Sequence, residues 1–100
     1  MAEQTTAKNP LAQLRDDDGL FLTGLVVAVD TLDKSWENKN YRQLKATITN
    51  GRSSFIYLAS DTQAPLPTVL PFQRARVEVE SARSEKGMMT VRGKITQANN

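Results

Sequence analysis

The chain has no cysteine and no histidine. The first absence removes disulfides and thiolate metal sites. The second removes the commonest general base and the commonest metal ligand together. Catalysis would then rest on carboxylates or lysines, and no convincing pair of either stands out. The chain therefore reads as a non-enzyme, with no cofactor, no metal and no small-molecule substrate. No apolar run approaches the roughly 20 residues that a membrane-spanning helix needs. The opening MAEQTTAKNPLAQ lacks the charged-then-apolar order of a secretory signal. Together with the missing thiols, this points to a cytoplasmic protein and no membrane partner.

What is present fits one domain, since 100 residues support a single modest core. The net charge of +2 is a weak argument for a polyanionic partner, but its distribution says more. Residues 1–19 hold Lys8 and Arg15 against Glu3, Asp16, Asp17 and Asp18, a net −2, which leaves +4 for residues 20–100. The basic character belongs to the part that folds, where a binding surface would be.

Residues 1–19 are polar, broken by Pro10, and read as a flexible acidic arm in which Leu11–Arg15 is too short to stand as a helix. The Asp16–Asp18 triplet reads as a solvated linker, because consecutive carboxylates on an extended chain point in alternating directions and chelate poorly. Leu20 to Thr31 is the first strand, and Gly24 within it marks a bulge or bend of the kind a small barrel needs. Asp30 to Asn40 turns polar around Trp36, as a loop or the tip of a long hairpin.

Tyr41 to Thr49 alternates cleanly: Leu44, Ala46 and Ile48 on one face, Tyr41, Gln43, Lys45, Thr47 and Thr49 on the other. Asn50-Gly51 is a strong hairpin signal, leading into a strand over Arg52–Ala59. The three prolines of Asp61–Phe72 make it a crossing segment, which packs Leu66, Val69, Leu70 and Phe72 onto one end of the fold. Ala75–Ala82 and Met88–Thr96 are the last strands, around a turn at Arg83–Gly87, and Gln97–Asn100 fray. The resulting class is all-β: a small five-stranded Greek-key barrel of the OB type over residues 20–96, preceded by the arm.

The stretch Asp33–Tyr57 holds four of the six aromatic residues, Trp36, Tyr41, Phe55 and Tyr57, with Lys34, Lys39, Arg42, Lys45 and Arg52. Cations neutralise phosphates and release counterions. Exposed rings stack on unpaired bases at roughly 1–3 kcal/mol each with little regard to sequence. Which face of the 52–59 strand is buried is open, since a slip of one residue inverts it. The preferred parity turns Ile56 and Leu58 inward and sets Phe55 and Tyr57 outside with Tyr41 and Lys45. Arg92 and Lys94, outward on the last strand, complete the candidate contacts.

Lys39-Asn40-Tyr41 after a basic hairpin, a proline-containing crossing over Ala64–Phe72, and Met89-Thr90-Val91-Arg92 on the last strand make the chain resemble the single-stranded DNA-binding proteins of filamentous bacteriophages. The likeness covers roughly residues 20–96. It implies a dimeric OB-type barrel in which Tyr41 stacks on a base while Lys39 and Arg92 contact phosphates. The final hairpin, Ser84-Glu85-Lys86-Gly87, has no aromatic where the family often has one, and the acidic arm is a further departure. The expected function is a largely sequence-independent coat for single-stranded DNA in replication or packaging, as a homodimer, with RNA as an equally chemical ligand. The rival is a protein-interaction barrel that docks a polypeptide on Trp36, Phe55 and Tyr57. An accessory barrel of primosome or recombination type would do both.

Overall fold

Short alternating runs give five strands in the computed structural model: β1 (Phe21–Trp36), β2 (Lys39–Thr49), β3 (Ser54–Ser60), β4 (Arg74–Glu85) and β5 (Met88–Thr96). The structure describes Arg15 and residues 19–97, so the acidic arm lies outside the described residues except for Arg15 and Gly19. The strands hydrogen-bond in the order β1-β2-β3-β5-β4 and the sheet closes into a barrel as β4 returns to β1. The β3–β5 pair is parallel and every other pair antiparallel. This is the expected Greek-key barrel of the OB type, and the described residues contain no helix.

Closure depends on β1 serving two neighbours. Its residues Phe21–Leu25 pair with β4, and Leu25–Trp36 pair with β2. Gly24 marks a close approach of backbones, since a Cβ at that position would stand 2.6 Å from the Thr49 carbonyl oxygen. The bulge expected at Gly24 falls instead at Val27, an extra residue where the register slips between Val26 and Ala28, and it curves the strand. A tighter approach occurs at Gly93, where a Cβ would fall 1.9 Å from the Glu78 carbonyl oxygen, opposite a second register shift between Val79 and Ser81.

The polar Asp30–Asn40 stretch is the tip of a hairpin, and nearly all of it is strand. An antiparallel ribbon beyond the barrel wets both faces, so its residues need not alternate in polarity. Glu37 and Asn38 (φ 52° and 65°) form a two-residue turn with both centres at positive φ. Lys86 and Gly87 (φ 52° and 79°) do the same between β4 and β5, which is a shorter turn than the expected Arg83–Gly87. At the β2–β3 connection the Asn50 carboxamide oxygen accepts from the Arg52 and Ser53 amides at 2.8 and 2.9 Å, so β3 begins at Ser54.

Inside the barrel lie Val26 of β1 and, as the alternation of β2 and β4 predicts, Leu44, Ala46, Ile48, Ala75 and Val77. On β5 Val91 is buried, but Met89, expected inward with it, is exposed. The crossing contributes Val69 and part of Leu66. Leu70 and Phe72 are exposed, against expectation. The backbone explains both. Phe72, at φ 64°, donates to the Val26 carbonyl at 2.6 Å while Gln73 O accepts from Val26 N at 3.0 Å. These bonds lay the segment along β1 and leave the Phe72 ring outside. The Gln97 side chain then holds Leu70 by both its N–H and its C=O, at 2.8 and 2.9 Å, so this residue of the expected frayed end is tied to the barrel.

Gly93→Ala should lower stability by about 3 kcal/mol or prevent folding, since backbone must move to admit the methyl group. Gly51→Ala, at φ 93° but with open space around it, should cost about 1 kcal/mol. Urea unfolding of the two variants measures the difference.

Candidate functional site

The register of β2 with β3 decides what the site contains. Ala46 pairs with Tyr57, and Ile48 with Phe55. Residues paired across strands share a face, so Phe55 and Tyr57 join Ala46 and Ile48 in the core, 7% and 2% exposed. The preferred parity for this strand is thereby overturned. Two rings supply bulk that the small Ala46 and Ala75 leave unfilled, and the Tyr57 hydroxyl donates to the Gly93 carbonyl at 3.0 Å. Neither ring is available to a ligand. Ile56 and Leu58 instead face outward, yet Ile56 is only 9% exposed because it forms the floor of a hollow.

That hollow, about 780 Å³, crosses the outer face between the β1–β2 and β4–β5 hairpins. Leu32, Ile56, Leu58 and Met88 make its apolar floor, and Lys34, Lys45 and Lys86 stand around it with Glu85. A second hollow of about 580 Å³ lies toward the β1–β2 tip and is lined by Trp36, Lys39, Tyr41 and Arg92, with Glu37 and Asp61. A third, smaller one runs between Leu58, Thr90, Arg83 and Arg92. Gln43 lines all three, so they are parts of one surface.

The hairpin geometry places these side chains together. Trp36 is opposite Lys39, Lys34 opposite Tyr41, and Leu32 opposite Gln43. With a period of two, all six present one face, continuous with Lys45 further along β2. Trp36 is 72% exposed at the tip, and Tyr41 is half-buried beside it. Among the described residues Arg83 is held by Glu85 at 2.6 Å, whereas Lys34, Lys39, Lys45, Lys86 and Arg92 have no ion-pair partner. No group of three or more His, Cys, Asp or Glu is placed to hold a metal ion among the described residues.

The remaining expected contacts lie elsewhere. Arg42 is on the reverse of the hairpin, 3.9 Å from Asp33, and its backbone exchanges hydrogen bonds with Asp61. Arg52 is in the β2–β3 loop, and Lys94 pairs in register with Glu78 on β4. Neither lines the hollows. Residues not singled out from sequence are Leu32, Gln43, Ile56, Leu58, Arg83, Lys86, Met88 and Thr90. The alternation of β2 already set Gln43 beside Tyr41 and Lys45, and was the available signal for it.

The chain matches no family model, no curated protein and no solved structure. Among the described residues, no helix is long and apolar enough to cross a membrane.

Burial holds the Tyr57 phenol above its ordinary value of 10.0, with Glu80 adding to the rise and Arg92 opposing it. A raised folded-state value means the unfolded chain ionises first. The contribution of Tyr57 is therefore whole below pH 10.0 and is lost as the pH climbs through the folded-state value. Between the ordinary value and the folded-state value the wild type should lose stability more steeply with pH than Tyr57→Phe, as denaturant unfolding across pH 10.0 measures. Below pH 10.0, Tyr57→Phe should cost about 1 kcal/mol for the lost bond to Gly93.

Proposed function

We propose that this barrel binds single-stranded nucleic acid, DNA in the first instance, along the outer face between its two long hairpins. The observation that carries this reading is the continuous surface around Gln43, where the exposed Trp36 and the half-buried Tyr41 lie among Lys34, Lys39, Lys45, Lys86 and Arg92. Rings of this kind take unpaired bases and cations take the phosphates between them. A duplex keeps its bases stacked inside and offers Trp36 and Tyr41 nothing to stack upon, so the unpaired strand is the favoured form.

The reading differs in its residues from the one drawn on alternation alone. Stacking falls to Trp36 and Tyr41, and phosphate contact to Lys34, Lys39, Lys45, Lys86 and Arg92. Phe55 and Tyr57 support the floor from beneath. The resemblance to the filamentous phage single-stranded DNA-binding proteins supports DNA as the polymer and coating during replication or packaging as the role. A homodimer belongs to the same proposal, for which the exposed Leu70 and Phe72, lining none of these hollows, offer an apolar surface.

A second reading is favoured by the aliphatic floor, which would also suit an apolar side chain of a docked polypeptide. Salt separates the two, because counterion release makes only the nucleic-acid complex weaken steeply as salt rises.

Titration of Trp36 fluorescence with oligothymidine tests the proposal. Quenching at low salt that weakens steeply with added salt is expected, and its absence at low salt defeats the reading. Trp36→Ala, followed by strand retention, and Tyr41→Ala should each cost about 1–3 kcal/mol of affinity. Lys45→Ala should lower the salt slope by about 1. Arg52→Ala and Lys94→Ala should bind as the wild type does.

A further inference from the structure

Thr90 is only 7% exposed, yet its side chain lines the larger hollow amid aliphatic neighbours and has no hydrogen-bond partner among the described residues. Thr90 pairs in register with Ile56, so it belongs to the outer face of β5, on the side of the hollow that it lines. The Thr90 hydroxyl is nonetheless within reach of solvent, since the buried side-chain polar atom left without a partner among the described residues is Gln73 Oε1. The amide of Gln43, half-buried at the meeting point of the three hollows, is likewise without a partner among the described residues. Two polar groups thus converge on an otherwise apolar floor, unbonded within the fold and open to a ligand that displaces water.

We propose that the larger hollow between the two hairpins seats one unstacked nucleobase of the bound strand, read at its edge by the Gln43 amide and the Thr90 hydroxyl. This rests on the single-strand reading and makes it more specific, since one position of the strand is then distinguished by base. A nucleobase matches the site on three counts. Its flat faces are apolar enough for Leu32, Ile56 and Met88, and its rim carries the donors and acceptors that Gln43 and Thr90 lack. Its phosphates meet Lys34, Lys45 and Lys86. A docked apolar side chain would satisfy the floor and leave both polar groups unmatched. The hollow's volume of about 780 Å³ admits a purine or a pyrimidine with its sugar, so selection is by hydrogen bonding and not by size.

The test compares four homopolymeric oligodeoxynucleotides of one length and a matching abasic strand, on the full chain. The wild type should rank them, with the abasic strand weakest. Gln43→Ala and Thr90→Val should each lower affinity for the preferred homopolymer by about three- to tenfold and flatten the ranking, as loss of one hydrogen bond does. Their salt slopes should stay as in the wild type, because no cation is removed. Thr90→Val preserves shape and removes an unpaired hydroxyl, so its thermal midpoint should equal or exceed that of the wild type. A lower midpoint would assign the hydroxyl to the fold and overturn its role in the pocket. Equal wild-type affinity for all four homopolymers and the abasic strand overturns the base seat while leaving single-strand binding intact. So does a ranking that survives in both variants. Tighter capture of an acidic apolar peptide than of any oligonucleotide overturns it in favour of the docking reading. Failure to bind any strand at low salt defeats the single-strand reading itself, and the base seat with it.

Discussion

One antiparallel register, Ala46 against Tyr57 and Ile48 against Phe55, determines both the interior and the outer surface of this barrel. In a strand the side chains alternate, so assigning Phe55 and Tyr57 to the core necessarily sends Ile56 and Leu58 to the other side. A shift of a single residue would leave two rings in water and empty the floor of the larger hollow. The register is held at its turn by the Asn50 carboxamide, which accepts from two loop amides, and at its far end by Arg42 bonded to Asp61. The Tyr57 hydroxyl ties the same strand to Gly93, where β4 and β5 come closest. Core packing and the shape of the outer face are therefore one constraint.

The strand order was legible because most of its signals are local. Period-two runs over Tyr41–Thr49 and Ala75–Val79, the Asn-Gly turn, the glycine in the first strand and the proline-rich crossing all act within a few residues. The parity of β3 was not, and the reason is physical. Both faces of Ser54–Ser60 carry large apolar residues, since one faces the core and the other floors a hollow. Hydrophobicity alone cannot rank two buried faces. The fit to Ala46 and Ala75 and the reach of the Tyr57 hydroxyl to Gly93 decided it, and these are contacts across 36 residues in one case. Leu70 and Phe72 went astray for a similar reason, because side chains followed a backbone path set by Val26 and Gln97.

The candidate site was half legible. Lys34, Trp36, Lys39, Tyr41 and Lys45 stand together because a hairpin keeps sequence neighbours on one face. Arg42 broke from them by parity, while Arg52 and Lys94 did so by distance along their strands. The contributions of Lys86, Met88, Thr90 and Arg92 come from the β4–β5 hairpin, which the barrel brings across from far along the chain through the short parallel pairing of β3 with β5. Closure of the sheet is what sets one hairpin facing the other, and no local pattern encodes that.

The distribution of polarity over the outer face also constrains what can occupy it. Rings stand at one end, aliphatic side chains at the other, and cations run past both. A uniform stacking platform would repeat one kind of contact along its length. This surface changes kind midway, at Gln43. A flexible polyanion lying across it would meet aromatic faces first and then a hollow with an apolar floor and two polar groups that the fold does not bond. Thr90 and Gln43 carry hydrogen-bonding capacity that the fold leaves unused and the hollow keeps within reach. Unused capacity of that kind is expected where a site is shaped for something that arrives later.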